Sequence, residues 1–240
     1  MKAVILAAGR GTRLAPLTDD RPKPLVPVRG RPLLLRTLDR LADVGIRGRD
    51  VVIVTGYRED VLARVVAEGG FTPTLVSNPH FHDWQNFYSL AVARDAVGGD
   101  AFLELDGDVL FDGRLLPRVL SAPGPGVLAI DVRPDLDAET MKVSVEQGRI
   151  VAVGKALAPE ASLGEYIGVS RFDPPLAAEV FEELARLERE GLTGEYYEHA
   201  LHRLALRDRG PLRPVDVSDC SALEIDDAHD LARAEALLGG

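Results

Sequence analysis

Short runs of valine, isoleucine and leucine alternate, through the first half of the chain, with segments whose apolar residues recur every three to four positions. The runs at 3–7, 51–55, 74–77 and 101–105 have almost no polar face, so they are expected as strands buried on both sides of a mostly parallel sheet. Helices are expected between them at 32–44, 58–67 and 89–97. The second half is less regular. A strand is expected at 127–132, and 141–145 with 149–153 should form an antiparallel hairpin about Gln147-Gly148. Residues 166–172 read as another strand, 176–189 and 196–206 as helices, 212–217 and 222–225 as closing strands, and 228–238 as a last helix. The Ala122-Pro123-Gly124-Pro125-Gly126 cluster is an ordinary helix-to-strand loop by length. No repeat or low-complexity segment interrupts the pattern, and residues 1–240 are expected to form a single α/β domain.

Composition narrows the partners. The formal net charge is -10 and the pI about 5.0, so nothing in the balance suits a nucleic-acid backbone or an anionic membrane surface. Small-molecule partners are expected, and a homodimer is left open. Cys220, the only cysteine, cannot close an internal disulfide; this fits a reducing compartment, and its plain reading is a small packed apolar residue. The N-terminal apolar run turns polar at Arg10, too short for a signal peptide or a spanning helix, and a cytoplasmic protein is expected.

Only four of the 28 basic residues are lysines: Lys2, Lys23, Lys142 and Lys155. An ammonium is a compact charge that can approach a single phosphate oxygen, which a planar guanidinium does not replace. Three of the four lie beside motif residues. The first expected strand runs into Leu6-Ala7-Ala8-Gly9-Arg10-Gly11-Thr12-Arg13-Leu14, a glycine-bearing basic loop at a strand's carboxyl end, where open α/β sheets bind ligands. Glycines let backbone N–H groups approach a polyphosphate, and Arg10 and Arg13 can neutralise its oxygens. Leu14 occupies the third glycine position of the dinucleotide fingerprint, and no Gly-Lys-Ser/Thr ending follows, so the loop is neither that fingerprint nor a P-loop. Ten residues later comes Arg21-Pro22-Lys23-Pro24-Leu25, where a proline on each side fixes the backbone that carries Lys23.

A Leu-Ala-Ala-Gly-x-Gly-Thr-Arg loop followed by Pro-Lys-Pro-Leu resembles the nucleotidyltransferase (NTP transferase) family. The resemblance implies a Rossmann-like fold of glycosyltransferase-A type, three layers about a mostly parallel sheet with a small antiparallel hairpin. It implies that Gly9, Arg10, Gly11, Thr12 and Arg13, with Leu6, Ala7 and Ala8 leading in, hold the NTP phosphates, and that Lys23 meets the α-phosphate and the attacking group.

Two acidic groups end later strands. Asp106 and Asp108 stand two apart in Leu105-Asp106-Gly107-Asp108, which puts them on one face if the strand persists. Such a pair suits magnesium, which takes one or two protein oxygens. The resemblance selects Asp108, after a glycine, as a metal ligand, and matches the second ligand to Asp226 in Glu224-Ile225-Asp226. It leaves Asp106 as a turn residue or a nucleotide contact. Asp227 reads as the N-cap of the last helix.

The stretch from Asn78 to Leu90 is polar, aromatic and long for a strand-to-helix connection. Its Asn86-Phe87-Tyr88-Ser89-Leu90 resembles the branch that uses CTP, which includes phosphocholine and 2-aminoethylphosphonate cytidylyltransferases. Met141-Lys142-Val143 with Gly154-Lys155, and Gly164-Glu165-Tyr166-Ile167-Gly168, point to the same branch. That likeness implies Asn86 and Ser89 at the base, with Lys142, Lys155 and Glu165 toward the acceptor. Tyr197 and Glu198 fit a cationic acceptor head but also fit core and helix surface. His80, His82 and Asp83 invite a transition-metal reading, against which no further ligand is suitably spaced. The expected reaction is magnesium-dependent transfer of CMP from CTP to a small phosphate or phosphonate. Its rivals are a sugar-1-phosphate nucleotidyltransferase using UTP, GTP or dTTP, and a non-catalytic nucleotide-binding homologue.

Overall fold

The computed structural model describes residues 1–207 and 210–239. Strand β1 (Lys2–Leu6) leads through the glycine loop and two 3-10 turns, at Thr12–Leu14 and Lys23–Leu25, into a two-residue ribbon, β2 (Pro27–Val28) and β3 (Arg31–Pro32), and helix α1 (Leu33–Asp43). Next come β4 (Val51–Thr55), α2 (Glu59–Glu68), β5 (Thr74–Ser77), the short helices α3 (Phe87–Ala91) and α4 (Arg94–Val97), β6 (Phe102–Asp106), β7 (Val109–Phe111) and α5 (Leu115–Ser121). The second half runs β8 (Gly126–Asp131), β9 (Lys142–Glu146), β10 (Arg149–Gly154), β11 (Gly164–Phe172), α6 (Pro174–Arg189), α7 (Glu198–Ala205), β12 (Leu212–Asp216), β13 (Ala222–Glu224) and α8 (Ala228–Leu237).

Strands β6, β1, β4 and β5 are parallel neighbours; β11 adds to β6 in the antiparallel sense and carries β9 with β10 and β8 with β12. The reason the early strands lack a polar face is direct. Val4, Leu6, Val52 and Val54 pack with Phe87, Leu90, Leu184 and Leu201 on one side of the sheet. Ala3, Ile5, Val51 and Ile53 pack with Leu34, Leu38, Leu62 and Leu116 on the other. Each buried leucine or isoleucine contributes about 1.5–3 kcal/mol, so both helical layers are held by strand residues of alternating direction. The result is the expected three-layer, Rossmann-like α/β fold. The hairpin also forms where expected: Gln147 and Gly148 both have positive φ, 49° and 74°, the backbone of a tight two-residue reversal.

Three expectations are corrected. The helix at 89–97 starts earlier, at Phe87, and is broken, because Ala93 N–H turns to Leu90 O instead of continuing the i to i−4 ladder. Helix α7 starts at Glu198 and leaves Tyr196 and Tyr197 before it. Strand β7 and helix α5 were not expected; β7 is only three residues long and pairs with β13 across more than a hundred residues of chain. Asp227 caps α8 as expected, its carboxylate accepting from His229 N–H and Asp230 N–H. No helix among the described residues is long and apolar enough to cross a membrane.

Candidate active site

The carboxyl ends of β1 and β6 open on a cavity of about 1000 Å³, whose wall includes Gly9 to Arg13, Lys23, Asp106, Asp108 and Asp226. Gly107 lets the two ends close up, since a Cβ there would lie 2.4 Å from Leu6 O. Leu6, Ala7 and Ala8 stand behind the cavity wall as buried support, with Ala7 N–H on Val54 O and Ala8 O accepting from Tyr57 N–H. Gly11 has φ +74°, and a Cβ on it would sit 2.7 Å from Lys23 Cβ. The glycine therefore serves two needs at once, a left-handed turn and room for the lysine stem. Arg10 lies over the Tyr57 ring at 5.3 Å and reaches Asp19 at 3.3 Å.

Lys23 is the hub. Its Nζ lies 2.5 Å from Asp108 Oδ2 and 2.5 Å from Asp226 Oδ1, and Arg13 pairs with the other oxygen of Asp226 at 2.7 Å. Four residues thus meet at one point, Lys23 and Asp226 among them lying 203 positions apart. Burial favours a neutral lysine, yet the charges of Asp108 and Asp226 outweigh it and hold the ammonium firmly protonated. Asp226 feels the converse: burial pushes it up, but Lys23 and Arg13 keep it below the usual carboxylate range.

A third acid joins this group. Oxygen atoms of Asp108, Glu224 and Asp226 lie within 4.8 Å of one another. Glu224 is open to the cavity yet deep in its concave wall, and loss of hydration, then Asp108 and Asp226, push its carboxyl up to about 8. Excess negative charge of this kind, built from hard oxygen ligands around one point, fits a divalent cation such as magnesium. Glu224 ends β13 and Asp226 follows two residues later, beyond the strand.

Behind Asp106 runs a buried chain. Glu104 accepts from Tyr166 Oη at 2.7 Å and Ser170 Oγ at 3.0 Å, Tyr166 and Tyr197 hydroxyls lie 3.1 Å apart, and Tyr197 Oη is 3.2 Å from Asp106 Oδ2. Three contacts from Glu104 to Asp106 share two phenolic protons, so all three are hydrogen bonds only when one end carboxyl carries a proton. Burial does push both acids up, Glu104 to about 8 and Asp106 well above its ordinary range. Tyr197 is fully buried, which corrects its expected acceptor contact: it orients Asp106 instead. Gly168, with φ +67°, is needed because a Cβ would fall 2.2 Å from Asp106 Oδ2.

Two further expectations are corrected. Lys142 is 1% exposed, and its ammonium donates to Asp137 O at 2.6 Å and Thr140 O at 3.2 Å, so it holds its own loop and does not face the cavity. Ser89 is buried and accepts from Asn78 Nδ2 at 2.9 Å, bracing the loop behind the cavity. Asn86 lines the cavity while its Oδ1 accepts from Tyr197 N–H at 3.0 Å. Lys155 lines the cavity beside Glu139, at 3.1 Å, and over the Tyr196 ring, at 5.5 Å. Glu165 lines it too, and pairs with Arg133, a cavity residue that sequence reasoning passed over. Glu198 reaches the cavity at 7% exposure with Oε2 unpartnered, and burial pushes its carboxyl up to about 7. His80 and His82 gather no metal set among the described residues: His80 stacks on Trp84 at 4.1 Å, and only Asp83 is near both rings.

Residues 3–191 match the family described as MobA-like NTP transferase domain. The CMP-5'-(3-aminopropyl)phosphonate synthase of Streptomyces rubellomurinus is 33% identical over 98% of this chain and 38% of its own length. The choline-phosphate cytidylyltransferase of Streptococcus pneumoniae is 37% identical over 44% of each chain. A solved structure, the inositol-1-phosphate CTP transferase from T. maritima, superimposes with a TM-score of 0.80 at 25% identity, covering 100% of this chain and 96% of that one. The chain spans 38% of the length of the Streptomyces relative, and the match to the Streptococcus relative takes in 44% of that protein. With the glycine loop, the lysine and the carboxylate group assembled at one end of the sheet, the chain belongs to the MobA-like NTP transferase domain family of nucleotidyltransferases.

Proposed function

We propose that the chain transfers CMP from CTP to a small phosphate or phosphonate that also carries a cationic head, releasing pyrophosphate. The observation that carries this reading is the charge layout away from the phosphate loop. There the cavity wall holds Asp131, Asp137, Glu139, Glu165, Glu198 and Asp230 against Arg133, Lys155 and Arg233. A purely anionic acceptor would meet mostly repulsion, whereas a zwitterion finds cations for one end and acids for the other. Glu198 supports this most directly, because a buried carboxylate oxygen without a partner is costly until a cation meets it. Phe81, His82, Gln85 and Asn86 offer aromatic faces and amide groups on which a nucleobase can rest. The Streptomyces rubellomurinus relative, by its name, makes a CMP ester of an aminoalkylphosphonate, which favours the same acceptor class.

An ionised phosphate or phosphonate oxygen is already a nucleophile, so no general base is required; the obstacle is repulsion between two anions. Backbone N–H groups of the loop at Gly9 to Thr12, with Arg10 and Arg13, hold the triphosphate. Lys23, mounted on its proline-flanked turn, cancels charge along the line of attack, and Arg13 stabilises the departing pyrophosphate. Asp108, Asp226 and Glu224 would hold magnesium, which supplies Lewis-acid neutralisation of phosphate charge when bound. Asp106, fixed by Tyr197, would contact the nucleotide.

The test is pyrophosphate release with each of the four NTPs against 2-aminoethylphosphonate, phosphocholine and sugar 1-phosphates, with and without a magnesium chelator. CTP with one of the cationic acceptors should give the fastest release, and the chelator should stop it. Fastest release with UTP or dTTP and a sugar 1-phosphate would replace this reading with a sugar nucleotidyltransferase, and no release from any pair would remove it.

A further inference from the structure

We infer that Arg133 is the residue that binds the acceptor's anionic end, and that Glu165 occupies its place until the acceptor arrives. The inference rests on the acceptor reading above and names the groups that would perform it. An acceptor anion must find a cation away from the phosphate loop. Lys142 is excluded because two carbonyls hold its buried ammonium, and Arg233 pairs at 3.4 Å with Asp230, which itself accepts from Asp226 N–H; that leaves Arg133 and Lys155 on the wall away from the phosphate loop and the carboxylate group among the described residues. Lys155 stands by Tyr196 and Glu139, on the side of the buried Glu198.

The geometry about Arg133 is that of an anion site already filled from within. Its Nη2 donates to Glu165 Oε2 at 2.5 Å. Its Nε is buried without a hydrogen-bond partner; Asp131 Oδ2 is the near acid, 3.5 Å away, too far to accept well. A guanidinium presents five N–H donors in a fixed fork that matches the oxygens of a phosphonate, so a spare buried donor beside a single bound carboxylate oxygen leaves the fork half used. The scaffold keeps the pair in position: Glu165 on β11 is in register with Asp131 at the end of β8, two residues before Arg133. The strands approach so closely there that a Cβ at Gly164 would fall 2.2 Å from Asp131 O. The pair also lines the same cavity as Asp108, Glu224 and Asp226, the three clustered carboxylates.

Two explanations of the pair predict opposite signs. If Glu165 merely positions Arg133, removing its charge weakens acceptor binding; if it competes with the acceptor, removing its charge strengthens binding. Methylphosphonate, which has no cationic end, isolates the anion site from Glu198. Calorimetric titration of methylphosphonate into the wild-type chain, Arg133→Gln, Arg133→Lys and Glu165→Gln, with 2-aminoethylphosphonate kinetics on the same proteins, tests the point. Arg133→Gln should weaken methylphosphonate binding and raise the acceptor KM by about 10- to 100-fold, the worth of a charge-assisted hydrogen bond, with the CTP KM nearly unchanged. Arg133→Lys should recover only part, and Glu165→Gln should bind methylphosphonate several-fold tighter than wild type. Weaker methylphosphonate binding in Glu165→Gln, or wild-type binding in Arg133→Gln, overturns the inference. Should the methylphosphonate order hold while no acceptor turns over with CTP, the anion site stands and the cytidylyltransferase reading falls.

Discussion

Replacing Lys23 with methionine keeps the length of the side chain and removes its charge, and the structure sets the size of the effect. The ammonium makes two charge-assisted hydrogen bonds of 2.5 Å from a side chain that is 12% exposed. In the resting protein those bonds satisfy Asp108 and Asp226; with substrates bound, the same charge faces two phosphates that must be driven together. Loss of one such preorganised donor lowers kcat by about 10²–10³, or roughly 3–4 kcal/mol of transition-state stabilisation. Ground-state CTP binding should suffer much less, because Arg10, Arg13 and the loop N–H groups remain. A second consequence has the opposite sign. In the wild type the ammonium occupies the mouth of the carboxylate group that would take a divalent cation, so Lys23→Met should bind Mn2+ at least as tightly as wild type while turning over far more slowly. Pyrophosphate release gives kcat and the CTP KM, and electron paramagnetic resonance counts free Mn2+. An unchanged kcat would refute the assignment of Lys23 to the line of attack, and weaker Mn2+ binding would refute the view that lysine and metal share the same oxygens.

Gly11→Ala should destabilise the chain by about 1–3 kcal/mol, from the left-handed φ and the 2.7 Å approach to Lys23 Cβ, and should lower kcat as well by shifting the lysine; a kcat at wild-type level would separate the loop from the lysine. Glu104→Gln tests the buried chain through pH. The folded carboxyl titrates near 8, against about 4.3 when unfolded, so the native state keeps a proton that the unfolded state has lost across that window. Stability of the wild type therefore falls as pH rises from 5 to 8, by up to about 1.4 kcal/mol per unit, and the glutamine variant should lose that slope while keeping the bonds to Tyr166 and Ser170. Parallel urea-denaturation profiles of the two proteins over this range would show that Glu104 carries no such proton.

The sheet was legible because burial on both faces leaves a mark: residues 51–55 form a run that only a strand covered by helices on each side would bury, and the strand forms at those bounds, whereas 74–77 forms the edge strand β5 with Leu75 exposed. Helix ends were less legible, since Ala93 is buried in the core cluster and Tyr197 bonds Asp106, neither of which propensity sees. Strand β7 was invisible for the same reason; three apolar residues after Asp108 become a strand only because β13 arrives from the far end of the chain.

Within the site, legibility follows who controls the position of the reacting atom. Lys23 and Gly11 could be read because the backbone decides their role: prolines fix one, a positive φ demands the other, and both are written in residue type. Lys142, Ser89 and Tyr197 were misplaced because spacing to a motif locates a Cα but says nothing about which internal group captures the side chain's polar end. Two carbonyls capture the first, an asparagine the second, an aspartate and a tyrosine the third. Arg133 is the converse case. It sits in no motif and was one of many arginines, yet its fork is held by a single carboxylate oxygen with a buried donor to spare. A cation whose partners are all internal carbonyls is structural, whereas a cation beside a cavity whose partner is a charged side chain that can be exchanged is available to a ligand. On that criterion Arg133 is available to the acceptor's anion and Lys142 is not, while Lys155, held by Glu139, stands on the side of the cavity where Glu198 lies.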